Sequence, residues 1–248
     1  MAEIRAFRRD DLDDLYRICL ATAANAAAYR DSRLVGHVYA APYAILCPRS
    51  VLVIEDAEGV GGYILGAVDT RNFEARLEAE WWPGLRKAYS DPSDVPRGER
   101  NPDQRMIRRI HHPLTTPSEI VADYPSHLHI NLLPRLRGRG FGRRLMAEWL
   151  GRIREMGSRG AHLAVGATNL RAIRFYRACG FRELTPQPTS DPIWFGLNLM
   201  DRPRTLQPAG PNSSPHEIVE PIADVAPWSI LARLAGVRLE VRVFAHPI

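Results

Sequence analysis

The run Arg137-Gly138-Arg139-Gly140-Phe141-Gly142 follows a strand-like segment, His127 to Leu133, and leads straight into a helical stretch, Arg143 to Met156. A helix N-terminus carries unpaired backbone N–H groups and partial positive charge. Glycines let that backbone approach an anion with no Cβ in between. The implied chemistry is capture of a phosphate-bearing ligand. Two common phosphate loops do not fit. A Walker loop requires Gly-Lys-Ser/Thr before the helix, and no lysine stands here. The dinucleotide fingerprint requires a third glycine where Arg143 stands and an acidic residue about 20 positions later, and both are missing. The bland alternative is a glycine-rich turn without a ligand.

Hydrophobic period and turn residues outline the elements that must position this loop. Ile4 to Phe7 alternates as a short strand, and Asp10-Asp11-Leu12 opens a helix that buries Leu12, Leu15, Ile18 and Cys19 on one face. A second helix is predicted between Ser32 and Tyr43, ended by Pro42 or Pro48. Val51 to Ile54 and Tyr63 to Val68 flank the turn Asp56 to Gly59 and read as a hairpin. Between Asp69 and Pro125 the pattern changes. Phe73, Leu77, Trp81 and Trp82 form a helical stripe that Pro83-Gly84 is predicted to break, Ser90 to Asp103 reads as loop, and Arg105 to Ile110 as a short helix. Such an insertion between strands is predicted to cap a cleft. Ala161 to Val165, Phe181 to Leu184 and Trp194 to Met200 read as strands, with a helix from Asn169 to Ala178 among them. Residues 1–202 are thus predicted to form one domain with 69–125 as its capping insertion. Residues 203–215 form a Pro/Ser-rich linker. In the extension 216–248, Val237 to Val243 alternates strictly and is predicted to pack on the domain or to be exchanged within a homodimer.

The loop, preceded by Leu132-Leu133-Pro134, resembles the coenzyme A loop of the GNAT acetyltransferase family. That family's Gln/Arg-x-x-Gly-x-Gly/Ala pattern is met at Arg137, Gly140 and Gly142. Asn169 to Phe181 resembles the family's second signature, Asn-x-x-Ala-x-x-Phe-Tyr-x-x-x-Gly-Phe, at every specified position. The two motifs in this order are highly specific, and the resemblance covers roughly Ile4 to Met200. More narrowly, Ala122 to Pro134 resembles the acetyltransferase-like C-terminal domain of eukaryotic O-GlcNAc hydrolases, regarded as a pseudo-acetyltransferase, and its free-standing bacterial relatives. The resemblance implies an α/β fold with a mixed, mostly antiparallel sheet flanked by helices, and acetyl-CoA as co-substrate.

Further roles follow from the resemblance. Backbone groups near Leu132 and Leu133 would pair with the pantetheine arm like an added strand. Arg137, Gly138 and the N–H groups of Arg139, Gly140, Phe141, Gly142 and Arg143 would hold the pyrophosphate. Asn169 would hydrogen-bond the arm, and Tyr176 would protonate the departing thiolate, for which a pKa near 10 is suited. The bland reading of Tyr176 is a core aromatic. Ser126 falls where histone-acetylating members carry a catalytic glutamate, and serine cannot replace that base. His127, His129 and Asn131 share one face of the predicted strand, unusual polarity for a central strand. Histidine titrates near neutral pH and can relay a proton from an amine; Asp123 is a further candidate, acting through water. Buried, satisfied histidines are the alternative. Trp81-Trp82 reads as core and His111-His112 as surface, with no metal-ligand set completed.

Composition sets the outer bounds. The chain has 248 residues, 45% hydrophobic and 25% charged, which excludes collagen-like, disulfide-scaffold and wholly disordered classes. No run approaches the roughly 20 apolar residues of a membrane span. Met1 to Arg5 lacks signal-peptide character, and Cys19, Cys47 and Cys179 form no framework, so a reducing, cytoplasmic setting is expected. Lys87 is the only lysine among 33 basic residues. The arginine skew is read as coding bias rather than as a nucleic-acid partner, which would need an exposed basic stripe with stacking aromatics. Twelve arginines between Arg135 and Arg182 face only Glu148 and Glu155, a surplus that marks an anion site or a solvated basic face. The insertion is nearly charge-balanced and points to no acidic or basic substrate. The function expected is acetyl-CoA-dependent N-acetyl transfer to a small-molecule amine or a protein lysine. The alternative is a non-catalytic acetyl-CoA-binding or partner-binding module.

Overall fold

Period-two alternation in the hairpin sends Leu52, Ile54 and Ile64 to one face of a sheet and Val53, Tyr63 and Leu65 to the other, all fully buried. A sheet buried on both faces needs helices on both sides, and the computed structural model shows that arrangement. It describes residues 2–184 and 192–200, so the linker and the extension predicted beyond residue 202 lie outside the described residues. Seven described strands, β1 (Glu3–Ala6), β2 (Leu52–Asp56), β3 (Gly59–Ala67), β4 (Ser126–Leu132), β5 (Gly160–Val165), β6 (Arg182–Glu183) and β7 (Ile193–Asn198), lie in the order β1-β2-β3-β4-β5-β7-β6. All neighbours are antiparallel except β4 and β5. The expected mixed, mostly antiparallel α/β sheet is what forms.

One face of the sheet packs against α1 (Leu12–Ala21), α2 (Leu34–Tyr39), α3 (Ala41–Leu46), α4 (Thr70–Arg76), α5 (Trp82–Ala88) and α6 (Pro102–His111). The other packs against α8 (Phe141–Glu155) and α9 (Leu170–Ala178), while α7 (Ser118–Asp123) leads into β4. The helix predicted over Ser32 to Tyr43 is two helices. The chain breaks at Ala40 (φ −134°, ψ −60°) because Pro42, with no N–H to donate, suits the first turn of a new helix rather than the interior of an old one. Pro83-Gly84 does not end its helix as predicted. A π turn over Leu77–Trp81 carries α4 into α5, and Pro83 falls in the first turn of α5, where its missing donor costs nothing. Asp69 caps α4 by accepting from Asn72 N–H at 3.0 Å. Asn101 and Gln104 form a reciprocal capping box that starts α6 earlier than its apolar residues alone suggest.

Close approach at the centre depends on Gly66. A Cβ there would overlap the carbonyl oxygen of His127 and crowd the Trp149 ring. Trp149, fully buried on α8, donates its indole N–H to Ser50 O at 2.9 Å, which pins this helix to the sheet beneath β3.

Candidate functional site

β4 and β5 pair only at Ser126↔Ala161 and His127↔His162. Beyond these two positions the strands part, while β4 stays paired to β3 as far as Leu132↔Gly62 and β5 stays paired to β7 as far as Val165↔Ile193. The antiparallel register fixes which backbone groups face the parting. Leu133 N–H donates to Gly61 O at 2.8 Å, so the odd-numbered residues of β4 bond to β3 and the peptide groups of Ile130 and Leu132 turn toward β5. A cleft opens there, walled by Thr22 at the end of α1, Ile130, Asn131, Arg137, Phe175 and Tyr176.

The glycine loop sits at the mouth of this cleft. Gly138 (φ 69°) and Gly140 (φ 77°) adopt left-handed conformations that side-chain-bearing residues resist, and Gly140 is the N-cap of α8. Among the described residues nothing beyond its chain neighbours lies within 4 Å of the place a Gly140 Cβ would take, so the space beside the start of α8 is open. Arg137 folds back and donates Nε–H to Leu132 O at 2.7 Å, bracing the loop on the strand. Arg135 is held by Asp56 at 3.0 Å and so does not serve the loop. Arg139, Arg143 and Arg144 are exposed and have no carboxylate partner among the described residues, which leaves their charge around the α8 N-terminus. This glycine-lined, positively charged cradle fits a pyrophosphate, and the parted strand edge fits an amide-bearing arm.

Asn169 N-caps α9, its Oδ1 accepting from Ala172 N–H at 3.1 Å. Tyr176 is 5% exposed, ringed by Phe175, Phe181 and Phe195, and its hydroxyl has no hydrogen-bond partner among the described residues. Burial raises its pKa well above the ordinary value, so the phenol stays protonated.

On the opposite side of β4, the polar alternation has a physical cause. Leu128, Ile130 and Leu132 enter the core beneath α8, whereas His127 and His129 face α3 and α4 and Asn131, on the same side of the strand, meets Tyr63 of β3. The Tyr43 hydroxyl lies 2.9 Å from His127 Nε2 and 3.0 Å from His129 Nε2. Thr70 Oγ1 lies 2.8 Å from His127 Nδ1 and donates to Pro125 O at 2.7 Å. Asn131 Nδ2 donates to the Tyr63 hydroxyl at 2.7 Å. His162, on β5, approaches Tyr124 O at 2.6 Å through Nδ1, with its ring 5.6 Å from that of His127. Burial pushes His129 and His162 down to about 4. His127 lies well below the ordinary histidine value, through burial and its two histidine neighbours. All three are neutral at pH 7.

Other candidates lie elsewhere. Asp123 is exposed on the last turn of α7, at the end of β4 remote from the cleft. Ser126 is fully buried, 2.6 Å from Val68 O and 2.7 Å from Ser158 Oγ, a structural hydroxyl. Trp82 is core, and Trp81 donates to His37 O. His111 and His112 bond to Tyr89 O and Asp91. Among the described residues no His, Cys, Asp or Glu group is placed to hold a metal ion. Tyr43, Thr70 and His162 had no sequence signal: their partners are 84, 57 and 38 residues away.

A sheet parted between β4 and β5, with a glycine-opened helix at the parting, has the architecture of the GNAT fold. Residues 120–181 match the Acetyltransferase (GNAT) family. The crystal structure of SsHAT is similar over 80% of this chain and 98% of that one, with 34% identity and a TM-score of 0.72. The Protein O-GlcNAcase of Rattus norvegicus and that of Mus musculus are each 26% identical over 133 residues, 53% of this chain, which spans only 14% of their length. The chain belongs to the acetyltransferase (GNAT) family.

Proposed function

We propose that the protein is an acetyl-CoA-dependent N-acetyltransferase acting by direct transfer in a ternary complex. The observation that carries this is the cleft itself: a glycine-opened helix N-terminus beside it, a stretch of β4 no longer paired to β5 along it, and Tyr176, whose hydroxyl has no hydrogen-bond partner among the described residues, in its wall. Gly138 to Arg143 would hold the pyrophosphate, and Ile130 with Leu132 would present the strand edge to the pantetheine arm. Leu133 is turned to β3 instead. The thioester supplies an activated acyl group, and transfer forms one N–C bond and breaks one C–S bond. Tyr176 donates its proton to the leaving sulfur. His129 and His127 receive the proton from the acceptor nitrogen. That nitrogen becomes acidic once it bonds the acyl carbon, so histidines of lowered pKa suffice. Holding amine and acyl group at attack distance supplies much of the rate.

The acceptor is an amine on a small molecule or a protein lysine. A non-catalytic acetyl-CoA-binding module is the second reading, favoured by one observation: Ser126 is a buried structural hydroxyl where a catalytic carboxylate would stand. Acetyl-CoA at a hundred times its dissociation constant is expected to stabilise the fold by roughly 2.7 kcal/mol. Gly140→Val is expected to abolish that shift. Thiol release from acetyl-CoA is then measured against a panel of alkylamines, arylalkylamines, aminoglycosides and lysine peptides. Binding without turnover on any amine selects the second reading, and a melt unmoved by millimolar acetyl-CoA rejects both.

A further inference from the structure

The geometry points to Tyr43 and Thr70 as positioning residues that fix the proton positions of His127 and His129 and join them into a directional relay. This rests on the reading that the two histidines take the acceptor's proton. The direction follows from one group that cannot donate, the Pro125 carbonyl. Thr70 Oγ1 lies 2.7 Å from it, a separation that is repulsive between two oxygens unless a proton lies between them, so the single Thr70 proton is there. Toward His127 Nδ1, at 2.8 Å, Thr70 can therefore only accept. His127 carries its hydrogen on Nδ1 and a lone pair on Nε2. Tyr43, 2.9 Å from that Nε2, must donate its one proton to it. Toward His129 Nε2, at 3.0 Å, Tyr43 can then only accept. His129 is thus the Nε2–H tautomer, with its lone pair on Nδ1.

That Nδ1 has no hydrogen-bond partner among the described residues. His129 stands one pleat, roughly 7 Å, from Asn131 in the cleft wall, and His127 a further pleat back. A proton arriving at His129 Nδ1 sends the Nε2 proton to Tyr43 and the Tyr43 proton to His127 Nε2. One proton enters and none leaves. The charge ends on His127, whose Nδ1–H is held by Thr70 and, through it, Pro125. Tyr176 has meanwhile given one proton to sulfur, so exchange with solvent on product release restores both ends.

The surroundings limit the relay to a single proton. Tyr39 lies edge-on to His129, and Phe73 stacks on Tyr43. Cys47 and Glu74 act on Tyr43, while Glu74 and Arg71 act on His162. His162 donates Nδ1–H to Tyr124 O beside His127, and two adjacent imidazolium ions would repel.

Imidazole nitrogen NMR of the full chain at neutral pH tests the wiring without any acceptor. His127 is expected as Nδ1–H and His129 as Nε2–H; the reverse in either ring overturns the proposal. Thr70→Val removes the acceptor for His127 Nδ1–H, so both rings are expected to switch tautomer, the change passing through Tyr43. With Tyr43→Phe in the same chain, His129 is expected to stop responding. A His129 indifferent to Thr70→Val overturns the relay, and Thr70→Ser, which keeps the hydroxyl, is expected to preserve both tautomers. In turnover of acetyl-CoA with any amine of the panel, Tyr43→Phe is expected to lower kcat about tenfold or more, with KM for acetyl-CoA unchanged. An unchanged kcat overturns the positioning role. Correct tautomers without turnover on any amine would reject the enzymatic reading and leave the wiring standing. Reversed tautomers with intact turnover would reject the wiring alone.

Discussion

Tyr176 shows how a single side chain can be read two ways until its hydroxyl is located. Its ring packs among Phe175, Phe181 and Phe195 as a core aromatic does, yet a buried hydroxyl in an ordinary core finds a partner, and this one, on a residue that lines the cleft, has none among the described residues. Tyr176→Phe keeps the ring and removes only the proton donor. Turnover is expected to fall about 10²-fold with acetyl-CoA affinity nearly unchanged, and the melting temperature to stay close to wild type. Steady-state kinetics beside a thermal melt decides it, and equal turnover would remove Tyr176 from the chemistry. At this scale the loop glycines and Tyr176 were legible because each sits in a contiguous motif. Tyr43 and Thr70 were not, because each is an ordinary residue of a helix whose partners come from a distant strand.

At the scale of elements, the site depends on where two strands stop pairing. Gly66 of β3 lets His127 of β4 and Trp149 of α8 close on the same spot, which anchors the paired end of β4 so that its far end can part from β5. Gly66→Ala would push a methyl into the His127 carbonyl. The expected loss is roughly 2–4 kcal/mol, since overpacking against backbone cannot be relieved by a rotamer change. That corresponds to a drop of about 5–15 °C in melting temperature for a domain of this size. Denaturant melts read the same quantity, and a variant as stable as wild type would show that β3 and β4 do not depend on this contact.

Considered as a whole, the molecule buries its three central histidines neutral. His162 is 2% exposed, and His127 and His129 are partly covered. In the unfolded chain each would titrate near 6.5, whereas in the fold burial lowers His129 and His162 to about 4 and holds His127 well below its ordinary value. Between pH 6.5 and 4 the unfolded state therefore binds more protons than the fold, and stability falls as pH falls through that window. The slope is about 1.4 kcal/mol per pH unit for each histidine fully titrating in one state only. Melts at pH 7, 6 and 5 are expected to show a progressive loss. His162→Asn is expected to lessen the slope, and a flat profile down to pH 5 would mean that these histidines are charged in the fold. Among the described residues no helix is long and apolar enough to cross a membrane.

Hydrophobic period and turn chemistry alone determined the hairpin, the helices around Leu15 and Trp149, the strands on either side of the glycine loop, and the α/β class. Those features arise from residues adjacent in the chain. The same local rules misjudged Pro42 and Pro83, because a proline's effect depends on whether it falls in a first helical turn or an interior one, and spacing does not reveal which. The tertiary structure decided the rest. It set where β4 parts from β5, which leaves the peptide groups of Ile130 and Leu132 turned toward the parting rather than paired to β5. It also brought Tyr43, Thr70 and His162 to the two histidines across separations of up to 86 residues. Contacts of that kind are consequences of packing two layers onto one sheet, and no pattern within a single segment encodes them.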